Sequence, residues 1–233
     1  MDFNEGVIIP IDKPYRMSSF GALAHIRYVL SRRLGVKRVK IGHAGTLDPL
    51  ATGVLLLCTG KATKQIDKLQ ADTKEYVAGL QLGATTASYD REHTVNFTYS
   101  TKHITRQLVE ETLTQFVGDI MQVPPEFSAC KVDGKRAYLL MRKGREVQLK
   151  AKPLHIDEIE LLDFCPENMT LTIRVVCGKG TYIRALARDI GQALGSGAFL
   201  TSLRRTRVGK YLVSEAVGFD EFPQWLEEAM SQD

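Results

Sequence analysis

The segment Gly42-His43-Ala44-Gly45-Thr46-Leu47-Asp48-Pro49-Leu50-Ala51-Thr52-Gly53 sets three glycines and one proline around a single acid, directly ahead of the aliphatic run Val54 to Cys58. Glycine reaches positive φ at little steric cost and lets other groups approach the backbone closely, while Pro49 biases the residue before it away from the helical region. The segment therefore reads as a loop held in one shape, and the run after it as a buried strand. The acid has a bland reading: an Asx-type turn in which Asp48 bonds nearby amides. A phosphate loop is excluded, because the Gly-Lys-Ser/Thr ending is missing.

Around this loop the hydrophobic pattern alternates between periods. Val7 to Ile11 reads as a strand. Ser18-Ser19 offers a helix N-cap before the stripe Ala22, Leu23, Ile26, Val29, Leu30 and Leu34, with Gly35 as a stop. A short helix is expected over Ala62 to Leu69, a half-buried strand over Tyr76 to Leu82, a loop over Thr85 to Val95 and a helix over Ile104 to Phe116. Pro124-Pro125, Gly134 and Gly144 punctuate an exposed basic insertion. Met169 to Cys177 alternates as a strand. Gly178-Lys179-Gly180 then turns into a helix capped by Thr181, with Ile183, Leu186, Ile190 and Leu194 on one face. Strands and helices mix without a βαβ repeat, which predicts an α+β fold with a mixed, largely antiparallel sheet.

The 233 residues, 44% of them hydrophobic, suffice for one large core. No stretch reaches bilayer-spanning length, and the N-terminus lacks the order of a secretory signal, so a cytoplasmic protein with no membrane partner is expected. Cys58, Cys130, Cys165 and Cys177 are scattered and read as reduced thiols; the histidines lack metal-ligand spacing, so no metal is expected. The net charge is only +4, but it is uneven. Basic residues crowd His25 to Lys40 without an acid, eight lie between Lys131 and Lys152, and Arg204, Arg205, Arg207 and Lys210 form a third group. Each could be a solvated face; three together point towards a polyanion.

The loop resembles the catalytic motif of the TruB family of pseudouridine synthases, and the resemblance runs along most of the chain. Asp12-Lys13-Pro14 with Met17-Ser18-Ser19 resembles the family's N-terminal motif, and Lys74-Glu75-Tyr76 its tyrosine motif. Pro124 to Ala129 with Lys131 and Gly134-Lys135 resembles the thumb-like insertion, Lys179 to Arg184 the second active-site junction, and Leu203-Arg204-Arg205 the closing motif. The resemblance implies a pseudouridine-synthase-like catalytic domain over 1–215, with the insertion at about 124–153. It implies conversion of the T-loop uridine of tRNA, position 55, to pseudouridine, without cofactor, metal or obligatory protein partner.

By the same resemblance Asp48 is the catalytic carboxylate, Arg184 its ion-pair partner, and Tyr76 the ring that stacks on the flipped uracil. His43 would fill space near the vacated position. Tyr182 would contact the base or orient the acid, and Leu203 would line the uracil pocket. Lys13 would touch RNA or support the Asp48 loop. Lys131, Lys135, Arg136, Arg142 and Lys143 would clamp the RNA backbone of the T-arm and T-loop.

Two departures stand against this pattern. The family's Thr-Asp-Thr-x-Asp reads Thr86-Ala87-Ser88-Tyr89-Asp90 here, which leaves Asp90 as a substrate contact by position only. The segment 216–233 reads as a short acidic tail rather than the PUA-type RNA-binding domain that many members append. Three rivals follow: a non-catalytic tRNA-binding or folding factor on the same scaffold, a guide-dependent relative of the dyskerin type, and an unrelated carboxylate hydrolase. The complete set of Asp48, Tyr76 and Arg184 disfavours the first, the missing C-terminal domain the second, and the single motif acid the third.

Overall fold

A computed structural model describes residues 2–127 and 149–231, and the backbone of 131–132 and 135–136. Its strands are β1 (Ile8–Lys13), β2 (Ile41–Ala44), β3 (Ala51–Thr59), β4 (Lys74–Leu82), β5 (Ala84–Thr86), β6 (Val95–Thr98), β7 (Gly118–Gln122), β8 (Lys131–Val132), β9 (Lys135–Arg136), β10 (Lys152–Cys165), β11 (Thr170–Cys177), β12 (Ala198–Val208), β13 (Tyr211–Leu212) and β14 (Val217–Gly218). The helices are α1 (Ser19–Arg33), α2 (Ile66–Ala71), α3 (Arg106–Thr114), α4 (Ile183–Ala193) and α5 (Phe222–Ser231). Ten strands enter one sheet, whose main path is β14-β1-β3-β12-β4-β11-β10-β7. β1 pairs antiparallel with β3, and β10 with both β7 and β11, whereas β14 runs parallel to β1. The expected α+β class, with a mixed and largely antiparallel sheet, is what the chain forms.

The chain divides into two compact units, Met1–Tyr76 with Arg204–Asp233, and Val77–Leu203. In the first, the run Val54 to Cys58 is aliphatic without a break because β3 is covered on both faces. Leu55 and Leu57 join α1 residues Ala22, Leu23, Ile26 and Leu30 in one core, while Val54, Leu56 and Cys58 join Ala44, Ala62, Leu69 and Val208 in another. Alternation along a strand sends neighbours to opposite faces, so each face needs its own apolar set. The α1 boundaries follow the predicted signals. The Ser18 hydroxyl accepts from the Gly21 amide at 3.0 Å, and Gly35 sits at φ +64° just past the end.

The segment read as an acidic tail is a structured part of this unit. After β14, α5 buries Phe222 and Leu226 in the same core as α1, alongside Phe219. Glu227 on this helix meets Arg33 at 2.7 Å.

In the second unit, α4 buries Ile183, Leu186 and Ile190, as its periodicity requires. Its cap differs from expectation: Tyr182 occupies the N-cap position, and the Thr181 hydroxyl instead bonds the Gly178 carbonyl at 3.2 Å. α3 is shorter than Ile104 to Phe116, since the Thr105 side chain caps it by accepting from Leu108 N. The expected loop over Thr85 to Val95 ends in a small hairpin in which β5 pairs with β6. No described helix is long and apolar enough to cross a membrane. Replacing Phe222 with Ala should cost about 3–5 kcal/mol in urea denaturation; a detachable tail would lose nothing.

Candidate active site

Asp48 lies in the loop between β2 and β3, and the first unit fastens that loop through its backbone. The Asp48 carbonyl accepts from Ala51 N at 3.0 Å, closing a turn over Pro49-Leu50. Ser19, buried at the start of α1, grips Leu47 twice: its hydroxyl accepts from Leu47 N at 2.8 Å and donates to Leu47 O at 2.9 Å. The adjacent serines of the Ser18-Ser19 pair thus divide the work, one capping the helix and the other pinning the loop.

Two buried cations complete the clamp. Lys13 is fully buried, and its Nζ donates to the carbonyls of Pro14 (2.9 Å), Met17 (2.6 Å) and Pro49 (3.4 Å). Burial pushes its pKa down to about 8, against which the Asp48 and Asp12 carboxylates favour the charged form. Of the two roles expected for Lys13, this geometry serves support of the loop. Arg205, 1% exposed, donates from Nε to Val54 O at 2.8 Å and from Nη2 to Gly45 O at 3.0 Å, tying the loop to β3. Gly53 at φ +100° is required here, because a Cβ would stand 2.1 Å from the Arg205 carbonyl oxygen. Arg205 was not among the site residues expected from the sequence. Its signals were its places in the Leu203-Arg204-Arg205 motif and in the third basic group, neither of which separates it from Arg204. Arg204 instead makes a bidentate pair with Asp12 at 3.0 and 2.7 Å.

The third basic group is therefore largely spent on protein contacts, since Arg207 also reaches the Gly209 carbonyl and lies 3.8 Å from Glu75. His43 lies on β2 opposite Leu57 rather than in a loop. Its Nδ1 is buried without a hydrogen-bond partner, and burial together with the Arg205 charge lowers its pKa. A neutral, flat ring results at neutral pH. Tyr76 is buried on β4.

The second unit carries the other expected residues. Arg184, 5% exposed in the first turn of α4, donates to the carbonyls of Ser88 (3.3 Å) and Phe127 (3.0 Å), and its Nε stands 3.7 Å from Asp90. Asp90 is itself buried and accepts from the Ser88 hydroxyl and from Glu92 N. Its carboxylate thus organises the 88–92 turn beside Arg184. The Tyr182 backbone is clasped by the buried Gln122 side chain, which accepts from its N–H at 2.9 Å and donates to its carbonyl at 3.2 Å. Leu203 is half-buried on β12. The side chains of Lys131, Lys135, Arg136, Arg142 and Lys143 lie outside the described residues, and no group of metal-ligating side chains occurs among those described.

A family model described as TruB family pseudouridylate synthase (N terminal domain) matches residues 31–183. The chain belongs to the TruB family. It is accordingly a pseudouridine synthase, an isomerase. A second model, the tRNA pseudouridylate synthase B C-terminal domain, matches residues 184–232, so the acidic C-terminal segment falls within a family domain. Proteins named tRNA pseudouridine synthase B from Phocaeicola vulgatus and Bacteroides thetaiotaomicron are 61% and 62% identical, over 98% and 97% of this chain and 96% and 95% of theirs. A solved Cbf5-Nop10-Gar1 complex contains a chain 27% identical with a TM-score of 0.70, covering 97% of this chain and 57% of that one.

Two outcomes follow for this TruB-family clamp. Lys13 should titrate near pH 8 by lysine-selective NMR. Because its folded pKa lies below the unfolded 10.5, the unfolded state binds more protons between those values, so stability should rise with pH there. Urea melts at pH 8 and 10 should show wild type gaining on Lys13→Met. Arg205→Lys keeps the charge but loses the two-pronged grip, and should lower kcat by roughly tenfold to a hundredfold with little change in KM, since small misplacements of a catalytic group are costly.

Proposed function

We propose that the chain converts the T-loop uridine at position 55 of tRNA to pseudouridine, with Asp48 as the essential carboxylate. The reaction breaks the N1–C1′ bond, turns the uracil and forms a C5–C1′ bond; the proton lost from C5 is balanced by one gained at N1. It is redox-neutral and needs no cofactor. The observation that carries the reading is the clamp on the Asp48 loop. Four backbone positions, Gly45, Leu47, Asp48 and Pro49, are tied down, which fixes the loop that carries the carboxylate. An acid so held is preorganised, and preorganisation is what a single-carboxylate mechanism requires.

In this reading Asp48 acts on the ribose, as nucleophile or as proton acceptor. Arg184 is the cation that keeps it ionised and aimed, and Asp90, 3.7 Å from its Nε, helps hold Arg184 in its rotamer. Tyr76 stacks on the flipped uracil, and neutral His43 fills the space the base leaves, where a charged ring would carry a desolvation cost. Tyr182 and Leu203 line the base pocket. The names of the relatives support tRNA as substrate, and their near-equal length supports transfer of the activity to this chain. The insertion clamps the RNA backbone through Lys131, Lys135, Arg136, Arg142 and Lys143.

The test is incubation with an unmodified tRNA transcript followed by pseudouridine mapping. Product is expected at the T-loop position alone. Asp48→Asn should lower the rate by on the order of a hundredfold to ten-thousandfold or more while RNA affinity is retained. Binding without product in the wild type would identify a non-catalytic tRNA-binding factor instead.

A further inference from the structure

We propose that His93 is a positioning residue for Arg184, its exposed ring bracing together the two residues on whose backbone the Arg184 guanidinium rests. The proposal builds on the role given to Arg184 in the reaction above. No motif in the chain singles out His93.

Arg184 leans on two carbonyls that lie far apart in sequence. Its Nη1 donates to Ser88 O at 3.3 Å and its Nη2 to Phe127 O at 3.0 Å. A buried guanidinium is placed by its acceptors, so its accuracy depends on how firmly Ser88 and Phe127 are held relative to each other. His93 touches both. Its Nδ1 lies 2.9 Å from the Ser88 hydroxyl oxygen, and its ring centroid lies 4.9 Å from that of Phe127, with the planes tilted by 40°.

Proton counting gives the bridge a direction. The Ser88 hydroxyl has one hydrogen, and its oxygen also bonds Asp90 Oδ1, which accepts in addition from Glu92 N at 2.9 Å. A carboxylate only accepts, so the Ser88 hydrogen goes to Asp90 and the Ser88 oxygen is left as an acceptor. His93 must then be the donor, which fixes a proton on its Nδ1. A chain of hydrogen bonds results, from His93 Nδ1 to Ser88 Oγ to Asp90 Oδ1. With Oδ1 occupied in this way, Oδ2 is the oxygen that stands 3.7 Å from Arg184 Nε. A proton on Nε2 instead would set His93 Nδ1 in competition with Asp90 for the Ser88 hydrogen. Ser88 is fully buried, so water cannot replace a bond lost there. His93 itself is exposed, so changing it leaves the core intact.

The experiment compares His93→Phe, which keeps a ring against Phe127 but offers no donor, with His93→Asn, whose amide sets a donor near the place of Nδ1. Each is also combined with Ser88→Ala. Single-turnover pseudouridine formation on a tRNA transcript and RNA affinity are measured, together with the NMR signals of the Arg184 Nε–H and the His93 ring nitrogens. Loss of one hydrogen bond is worth roughly threefold to tenfold, so His93→Phe should lower the rate of the bound complex by that factor with RNA affinity unchanged. His93→Asn should recover most of the loss. In the Ser88→Ala background, His93→Phe should cost nothing further. The Arg184 Nε–H should exchange with water faster in His93→Phe than in wild type. Above about pH 8, where an ordinary imidazole is neutral, wild-type His93 should carry its proton on Nδ1. A proton on Nε2, an unchanged Arg184 signal, equal losses from His93→Phe and His93→Asn, or additive losses with Ser88→Ala would each overturn the assignment. Faster Arg184 exchange with turnover unchanged would keep His93 as the brace and sink only the role of Arg184 in the reaction.

Discussion

Two buried cations gripping backbone carbonyls are the constraint on which the Asp48 loop depends. Taking a lysine and an arginine out of water is costly, and the cost is tolerable only where their donors are satisfied. Lys13 meets three carbonyls and Arg205 two, while the Asp48 and Asp12 carboxylates favour the Lys13 charge. Carbonyl oxygens at a turn are otherwise hard to satisfy away from water, so cation and loop stabilise each other. A glycine-rich loop, flexible in isolation, thereby acquires one shape.

That clamp works because β3 is buried on both faces. Its five aliphatic residues Val54 to Cys58 are fully buried, three towards one core and two towards the other, and Arg205 takes hold of the strand through the Val54 carbonyl. Helix α1 is locked to the same core and delivers Ser19 to Leu47. Packing energy from ordinary apolar side chains is in this way turned into positional accuracy at one carboxylate. The second unit follows a similar plan with different parts: Gln122 and Asp90, both buried, hold the start of α4 and the 88–92 turn, and Arg184 in the first turn of α4 is bonded to that turn through the Ser88 carbonyl and lies 3.7 Å from Asp90.

The class of fold and the main strands and helices were legible in the linear chain. Periodicity reported α1, β11 and α4 because each buries one face, and a caps-and-glycine grammar reported the ends of α1. Where local signals competed, the reading failed. Thr181 looked like a cap, but its hydroxyl is drawn to Gly178, and Tyr182 takes the position. The segment read as a short acidic tail includes a helix that carries Glu227 and Glu228 and buries Phe222 and Leu226. Asp90, expected as a substrate contact by position, is buried and accepts from the Ser88 hydroxyl and Glu92 N within its own turn.

By itself the sequence determined the family and the α+β class, because ordered motifs and local periodicity are properties of neighbours along the chain. Only the tertiary structure decided which basic residues are tools and which are bolts. Arg204 and Arg205 are adjacent in sequence, yet one pairs with Asp12 at the edge of solvent and the other is sealed inside the clamp. The physical reason is that a side chain's role is set by what surrounds it after folding: desolvation and long-range carbonyl partners, from residues more than a hundred positions away, are written nowhere in its immediate neighbours.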